Sequence, residues 1–190
     1  MPAKTELKIG VFRGSLRKGS YSGAVADFIA AAMPNGFDAE IVDIGQLTMF
    51  NQGYDDDGTT PKEWTAFRGK VAGLDGCLFV TPEYNRSIPP VLKNALDIAS
   101  RPQGKNVWSG KPGAVVSVSP GKSGGMAANH QLRQALICIN VPVMQQPEAY
   151  ISGAADIVKN GVVDESERAF LTAFANAFAD WVKLFVKTAE

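Results

Sequence analysis

Residues 75–97 read DGCLFVTPEYNRSIPPVLKNALD, and their reading decides the fold. Cys77 to Val80 is a short unbroken apolar run, the pattern of a parallel strand covered on both faces. Pro82 stops it. Pro89-Pro90 stands where a helix can begin, because the first turn has no use for the N–H that proline lacks. Leu92, Ala95, Leu96 and Ala99 then recur at helical spacing. Thr81-Pro82-Glu83-Tyr84-Asn85 joins strand to helix. In open α/β sheets, a loop at the carboxyl end of a central strand is where ligands bind. This loop carries a stiff proline, a flat aromatic ring and two polar side chains, a set that suits a planar heterocycle. It also suits an ordinary strand-to-helix connection.

Outward from this stretch the chain alternates strand and helix. Leu7 to Phe12 reads as the first strand, Arg13 to Ser20 as a Gly/Ser loop, and Tyr21 to Met33 as a helix that Pro34-Asn35-Gly36 breaks. Phe37 to Ile44 alternates as a second strand. Gly45 to Pro61 is a long loop with an acidic cluster, Asp55-Asp56-Asp57, before a helix over Lys62 to Ala72 that sets Trp64, Phe67 and Val71 on one side. Gly113 to Ser119 is the fourth strand, Pro120 to Gly125 a second glycine-rich loop and Met126 to Asn140 a helix. Val141 to Met144 starts a fifth strand. The closing helix, Glu165 to Lys187, carries Phe170, Phe174, Phe178, Trp181 and Phe185 as a stripe for the core.

Strands alternating with helices imply a parallel sheet with helices on both faces. Right-handed crossovers leave few arrangements. With five strands the expectation is an α/β three-layer sandwich of the flavodoxin-like type, a five-stranded parallel sheet in the order 2-1-3-4-5. No linker or repeat divides the chain, so residues 1–190 are read as a single domain. In that order the loops after strands one, three and four meet at one edge. These are Gly14 to Ser22, Pro82 to Asn85 and Ser119 to Gly125, and their convergence argues for a ligand crevice.

Composition removes several classes of function. A chain of 190 residues can bury roughly 70% of its unfolded surface and needs no disulfide or metal to hold it. Nineteen basic and nineteen acidic residues cancel, so no net field draws the protein to nucleic acid or an anionic membrane. Cys77 and Cys138 both fall in apolar runs and read as buried, reduced thiols of a cytoplasmic protein. The sole histidine is His130, and there is no C-x-x-C, so a zinc site or a Ser-His-Asp triad lacks its parts. The first strand begins too early for a signal peptide, and no apolar run is long enough for membrane insertion. His130 reads as a packing or interface residue and Trp108 as a cover over a strand entrance.

The loop Gly14-Ser15-Leu16-Arg17-Lys18-Gly19-Ser20-Tyr21-Ser22 carries phosphate chemistry. It leads into a helix amino terminus, where free N–H groups and the helix dipole favour an anion. Ser15, Ser20 and Ser22 add hydroxyls, and Arg17 adds a bidentate fork. Gly14 and Gly19 have P-loop spacing, but Ser20-Tyr21 stands where a nucleoside triphosphatase needs Lys-Ser/Thr. The Rossmann G-x-G-x-x-G is absent. Asp43 ends strand two where a ribose-binding acid would sit, but it is read as a solvated strand end. In the loop Ser119 to Gly125 the glycines let backbone approach a ligand. Lys122 there either faces solvent or lies near developing negative charge.

Three motifs, GSLRKGSYS, TPEYNRSIPPVLKNALD and SVSPGKSGG followed by LRQAL, resemble those of the NADPH-dependent FMN reductase family, in its bacterial quinone and chromate reductase branch. The likeness runs from the first strand to the fifth. It implies non-covalent FMN, with Ser15, Arg17, Ser20, Tyr21 and Ser22 around its phosphate. Pro82, Glu83, Tyr84 and Asn85 would hold the isoalloxazine largely through backbone, with Ser119, Gly121 and Gly124 at its pyrimidine edge. It further implies a two-step hydride transfer from NADPH or NADH through FMN to a quinone or similar small oxidant. No acid–base side chain is required for this, so no residue is assigned as catalytic. Arg86 and Ser22 depart from the family pattern, where an aromatic residue and an asparagine are frequent. Arg86 and Arg101 flank the helix after the PEYN loop and offer positive charge to an anionic oxidant such as chromate. The family's dimers or tetramers imply a homo-oligomer in which the helices near Pro89–Arg101 and Met126–Asn140 pair, with Met49, Phe50 and Trp64 bordering a neighbour's site. Two other classes fit the same features: a flavodoxin-type electron carrier, which tends to be strongly acidic where this chain is neutral, and an FMN-binding regulatory module.

Overall fold

The computed structural model describes residues 6–186. Strands β1 (Leu7–Arg13), β2 (Phe37–Val42), β3 (Gly76–Pro82), β4 (Gly113–Val118) and β5 (Ala149–Ile151) form one parallel sheet in the order β2-β1-β3-β4-β5. The expected topology is the observed one. Burial explains the order: every residue of β4, and all of β3 except Pro82, is buried, so these strands take the middle. β2, only partly buried, and the short β5 take the edges.

Side chains alternate faces with the strand period of two. Ile9, Val11, Leu78, Val80, Ala114, Val116 and Val118 point to one face, where they meet α1 (Tyr21–Ala31) and α7 (Glu165–Lys183). Phe12, Cys77, Phe79 and Val115 point to the other and meet α3 (Lys62–Ala72), α4 (Pro90–Ala99) and α5 (Met126–Cys138). The second face is aromatic at its centre. Phe12 stacks on Phe79 with ring centroids 5.1 Å apart, and Trp108 packs across Phe12 at 5.2 Å. Trp108 is fully buried, with its indole N–H donating to the Leu96 carbonyl at 3.2 Å. It is therefore a core residue and not a cover over a strand entrance. Each side chain of this size contributes roughly 1.5–3 kcal/mol by leaving water.

Several boundaries differ from the sequence reading. The fifth strand is not at Val141–Met144. Those residues make one parallel bridge, Val143 to Gly113, and the ladder resumes only at Ala149. Pro142 and Pro147 have no N–H to give a ladder, which interrupts the pairing. A hairpin also went unread: β6 (Val158–Lys159) and β7 (Val162–Val163) turn through Asn160-Gly161 at φ 53° and 79°. Short helices α2 (Gly53–Asp56) and α6 (Ala154–Ile157) occupy stretches read as irregular. β2 stops at Val42, before Ile44, and α7 at Lys183; Lys187, the expected end, lies outside the described residues.

Of the acidic cluster, Asp56 and Asp57 are exposed and Asp55 turns inward. Asp55 is 4% exposed and receives both arms of Arg68, at 2.8 and 2.6 Å. The Arg68 hydrogen bonds hold its carboxyl below the usual carboxylate range, against the opposing effect of burial. Cys138, expected to be buried, is exposed on the last turn of α5, because that helix buries the stripe Ala128, Asn129, Leu132 and Leu136 instead. Among the described residues no helix is long and apolar enough to cross a membrane.

Candidate functional site

The crevice lies at the carboxyl edge of the sheet, where the chain leaves β1, β3 and β4. Its walls are Ser15, Arg17, Ser20, Tyr21 and Ser22 from the first loop, Pro82, Glu83 and Tyr84 from the second, and Val118, Ser119 and Pro120 from the third, around about 210 Å³. Nine of the twelve expected residues share this one cavity. Asn85, Gly121 and Gly124 do not line it.

The first two loops touch. Gly14 donates to the Val80 carbonyl at 2.8 Å, and a Cβ on Gly14 would fall 2.9 Å from Pro82 Cδ and 3.1 Å from Thr81 Cα. Only glycine allows that approach. Across the crevice the hydroxyls of Ser15 and Tyr84 are 3.4 Å apart.

The first loop delivers donors. Ser20 caps α1, its Oγ accepting from the Gly23 N–H at 3.1 Å. The N–H groups of Tyr21 and Ser22 have no protein acceptor among the described residues. Ser22 is 2% exposed, and its Oγ is buried with no hydrogen-bond partner. A buried hydroxyl without a partner costs about 1–3 kcal/mol. Two free amides, an orphaned hydroxyl and the Arg17 guanidinium, held 5.5 Å over the Tyr21 ring, together fit a phosphate monoester. This is the test a flavin mononucleotide must pass, and these residues meet it.

The second loop is a built turn. Tyr84 and Ser87 exchange backbone hydrogen bonds, both 2.9 Å, while Asn85 and Arg86 between them have φ of 52° and 64°. These are the left-handed angles of a type I′ turn. Asn85 sits at its exposed tip. Glu83 does not face the crevice with its carboxylate: one oxygen accepts from the Ala128 N–H at 3.2 Å, at the start of α5, and the other pairs with Arg86 at 3.3 Å. What this loop offers a ring is backbone and the Tyr84 side chain, which is 45% exposed.

In the third loop Ser119 donates its N–H to Ile151 at 2.9 Å, and its Oγ accepts from Gly121 at 3.1 Å. Gly124 has φ of 59°, and a Cβ there would meet the Tyr150 carbonyl group at 2.5 Å. Gly124 thus closes the loop against β5. Lys122 is exposed.

Two buried amides that the sequence reading passed over hold the surroundings. Asn94 accepts the Phe50 N–H at 2.7 Å and donates to the carbonyls of Leu47 and Thr48, pinning the 47–50 segment to α4. Asn129 donates to Ser117 Oγ and the Ala149 carbonyl, both at 3.3 Å, joining α5 to β4 and β5. Their signal was available: each is a polar residue on the apolar stripe of its helix. Trp64 is fully buried beneath Phe50, which stacks on it at 5.5 Å, so of the trio expected to border a neighbour Met49 and part of Phe50 are accessible. Arg86 is tied to Glu83, and Arg101 follows the far end of α4, so the two arginines do not form one anion site. His130 stacks on Tyr150 and its Nε2 lies 3.2 Å from the Tyr150 hydroxyl, outside the crevice. Burial pushes the Cys77 thiol up to about 12, slightly opposed by Lys111, so no thiolate is at hand.

The comparisons with known proteins agree with this geometry. The family model for NADPH-dependent FMN reductase matches residues 7–156. A quinone reductase from Pseudomonas putida is 48% identical over 177 residues, covering 93% of this chain and 95% of that one. A 2-hydroxy-1,4-benzoquinone reductase from Burkholderia sp. is 45% identical over 179 residues, 93% of this chain and 97% of that one. Among solved structures, FerB from Paracoccus denitrificans, a flavoenzyme NAD(P)H:(acceptor) oxidoreductase, superposes with a TM-score of 0.86 at 35% identity, covering 94% of this chain and 98% of that one. With its sheet order, its three-loop crevice and these matches, the chain belongs to the NADPH-dependent FMN reductase family, oxidoreductases that work with FMN and NAD(P)H.

Proposed function

We propose that the protein takes a hydride from NAD(P)H through bound FMN and delivers it to quinones. The observation that carries the proposal is the unsatisfied donor set of the first loop, Ser22 Oγ with the Tyr21 and Ser22 amides, opposite the exposed Tyr84. The relatives from Pseudomonas and Burkholderia are named for quinones, which supports the choice of acceptor class. Ser15, Arg17, Ser20, Tyr21 and Ser22 hold the phosphate. Pro82, Glu83, Tyr84 and Asn85 support the ring, chiefly by backbone, and Ser119 with the loop shaped by Gly121 and Gly124 borders its edge. The flavin, when bound, supplies the hydride chemistry; the chain supplies position and electrostatics. No histidine, and no thiolate, borders the crevice, which suits a reaction that asks no side chain for acid–base work.

Two coarser features extend the reading. Both cysteines are free thiols, which suits the reducing cytoplasm. Met126 and Ile137, at opposite ends of α5, are 50% and 69% exposed, two apolar side chains that a second copy of the chain would cover in a homodimer or homotetramer. Light scattering that returns a monomer at working concentration would remove the oligomer.

The purified protein is expected to be yellow, to bleach under NAD(P)H without oxygen and to recover its colour when a benzoquinone is added. Bleaching with no recovery by any quinone would overturn the acceptor class. Indifference to NAD(P)H would favour the electron-carrier reading.

A further inference from the structure

The first loop has a second side. Behind it, between α1 and the end of β2, lies a cleft of about 430 Å³, twice the volume of the flavin crevice. The two cavities share Ser15, Arg17 and Ser20, so one loop is the wall between them. Nothing in the flavin reading uses this larger cleft.

Its lining combines three kinds of chemistry. The first is apolar: Leu16 and Ile41, 60% and 37% exposed, both border it. Large aliphatic side chains left in water beside a cavity suit the face of a flat ring. The second is cationic. Arg17 and Lys18 have no ion-pair partner among the described residues. Arg13 pairs with Asp27 through its terminal nitrogen, yet its Nε is buried with no acceptor. The third is a fixed carboxylate. Asp43 follows the end of β2, and its Oδ1 accepts from the Gly45 N–H at 2.8 Å, which holds the group at the cleft. In Rossmann dinucleotide-binding units an acid past the second strand accepts from the ribose 2′-hydroxyl of NAD, and Asp43 stands at the equivalent strand end here without the Rossmann glycine turn.

A flat ring, a ribose diol and phosphates are the parts of an adenosine diphosphate. We propose that this cleft receives the ADP-ribose end of the pyridine dinucleotide donor. Asp43 accepts from a free hydroxyl of the adenosine ribose, Lys18 and Arg13 face phosphate, and Leu16 and Ile41 flank the adenine. The first loop then serves two nucleotides on its two sides: flavin phosphate towards the α1 amides, donor phosphates towards Lys18. The proposal rests on NAD(P)H being the donor, and it names the residues that grip the part of the donor that does not react.

The test is titration of the FMN-loaded protein with ADP-ribose, which carries this end and lacks nicotinamide. Binding is expected, with shifts in the methyl resonances of Leu16 and Ile41. Lys18→Ala and Asp43→Asn are each expected to weaken it about five- to tenfold while FMN content and the visible spectrum stay as they were. The KM for the dinucleotide should rise in both. Both side chains are exposed, so folding is not at stake. Equal ADP-ribose affinity in the variants overturns the proposal, as do methyl shifts confined to other regions. Displacement by inorganic phosphate as effective as by ADP-ribose itself would reduce the cleft to a bare anion site and overturn it too. Flavin bleaching by the dinucleotide in the unaltered protein separates the outcomes. If bleaching fails, the donor reading is wrong; if bleaching proceeds and ADP-ribose does not bind, only the cleft assignment is wrong.

Discussion

The loop after β1 and the turn after β3 face each other across one crevice and are built in opposite ways. The first is unfinished. Among the described residues its arginine and lysine lack ion pairs, its leading amides lack acceptors, and the Ser22 hydroxyl is buried with nothing to bond. The second is complete without a ligand. Tyr84 and Ser87 satisfy each other, Glu83 is used at both oxygens, and Gln131 bonds Ser87 Oγ at 2.6 Å and the Arg86 carbonyl at 2.8 Å. On the proposed function, one half of the site gains its missing partners from the ligand. The other half holds its shape in advance, which lowers the ordering cost of binding a ring. On the proposed function, charge recognition and ring recognition fall to separate loops, so variants on each should behave differently.

The largest separation is expected at Arg17. Arg17→Ala removes a charged hydrogen-bond donor worth roughly 1.5–3 kcal/mol, or about ten- to a hundredfold in the FMN dissociation constant. Flavin fluorescence titration measures this. Because the Arg17 side chain is exposed and, among the described residues, makes no ion pair and only the contact with the Tyr21 ring, the melting temperature without flavin should move little. A large drop in that temperature would show that the first loop is held together by Arg17 and erase the contrast. On the other side, Asn85→Val puts a β-branched residue at φ 52°, a conformation it adopts at a cost of about 1–2 kcal/mol. Here flavin-free stability should fall together with FMN affinity, while Asn85→Gly should keep both within a few tenths of a kcal/mol. Urea unfolding with and without FMN distinguishes the two patterns.

The same division separates what the sequence disclosed from what it concealed. The sheet order followed from apolar runs at β3 and β4, because a strand covered on both faces has no polar positions to confuse its period. The first loop was legible in chemical terms, since serines, an arginine and a helix start speak for themselves. The second loop was legible in place but not in shape. Asn85-Arg86 carries only half of the Asn-Gly signature of a type I′ turn, and the arginine at φ 64° is held there by the Tyr84–Ser87 pair, a contact between residues that no periodicity shows. At Asn160-Gly161 the full signature was present, and the flanking strands were too short to be seen. The fifth strand was misplaced because Val141-Pro142-Val143-Met144 has strand composition, while the pairing depends on N–H groups that prolines lack. Cys138 was misjudged because composition alone does not say which side of a helix faces the core.

Ser22 gives the smallest effect and the sharpest test of the unfinished loop. Its hydroxyl is buried and unpartnered, so in the flavin-free protein Ser22→Ala removes an unsatisfied polar atom and should stabilise the fold by about 1 kcal/mol. In the FMN complex the same hydroxyl has a phosphate oxygen to bond, so its loss should weaken FMN by several-fold, also about 1 kcal/mol. The two effects have opposite signs. The variant should melt above the parent without flavin, and its advantage should vanish at saturating FMN. A hydroxyl that serves only packing would lower both melting temperatures together, and a hydroxyl already bonded to water would leave the flavin-free value unchanged. Only a donor kept in wait for the ligand's phosphate gives the variant an advantage that saturating FMN takes away.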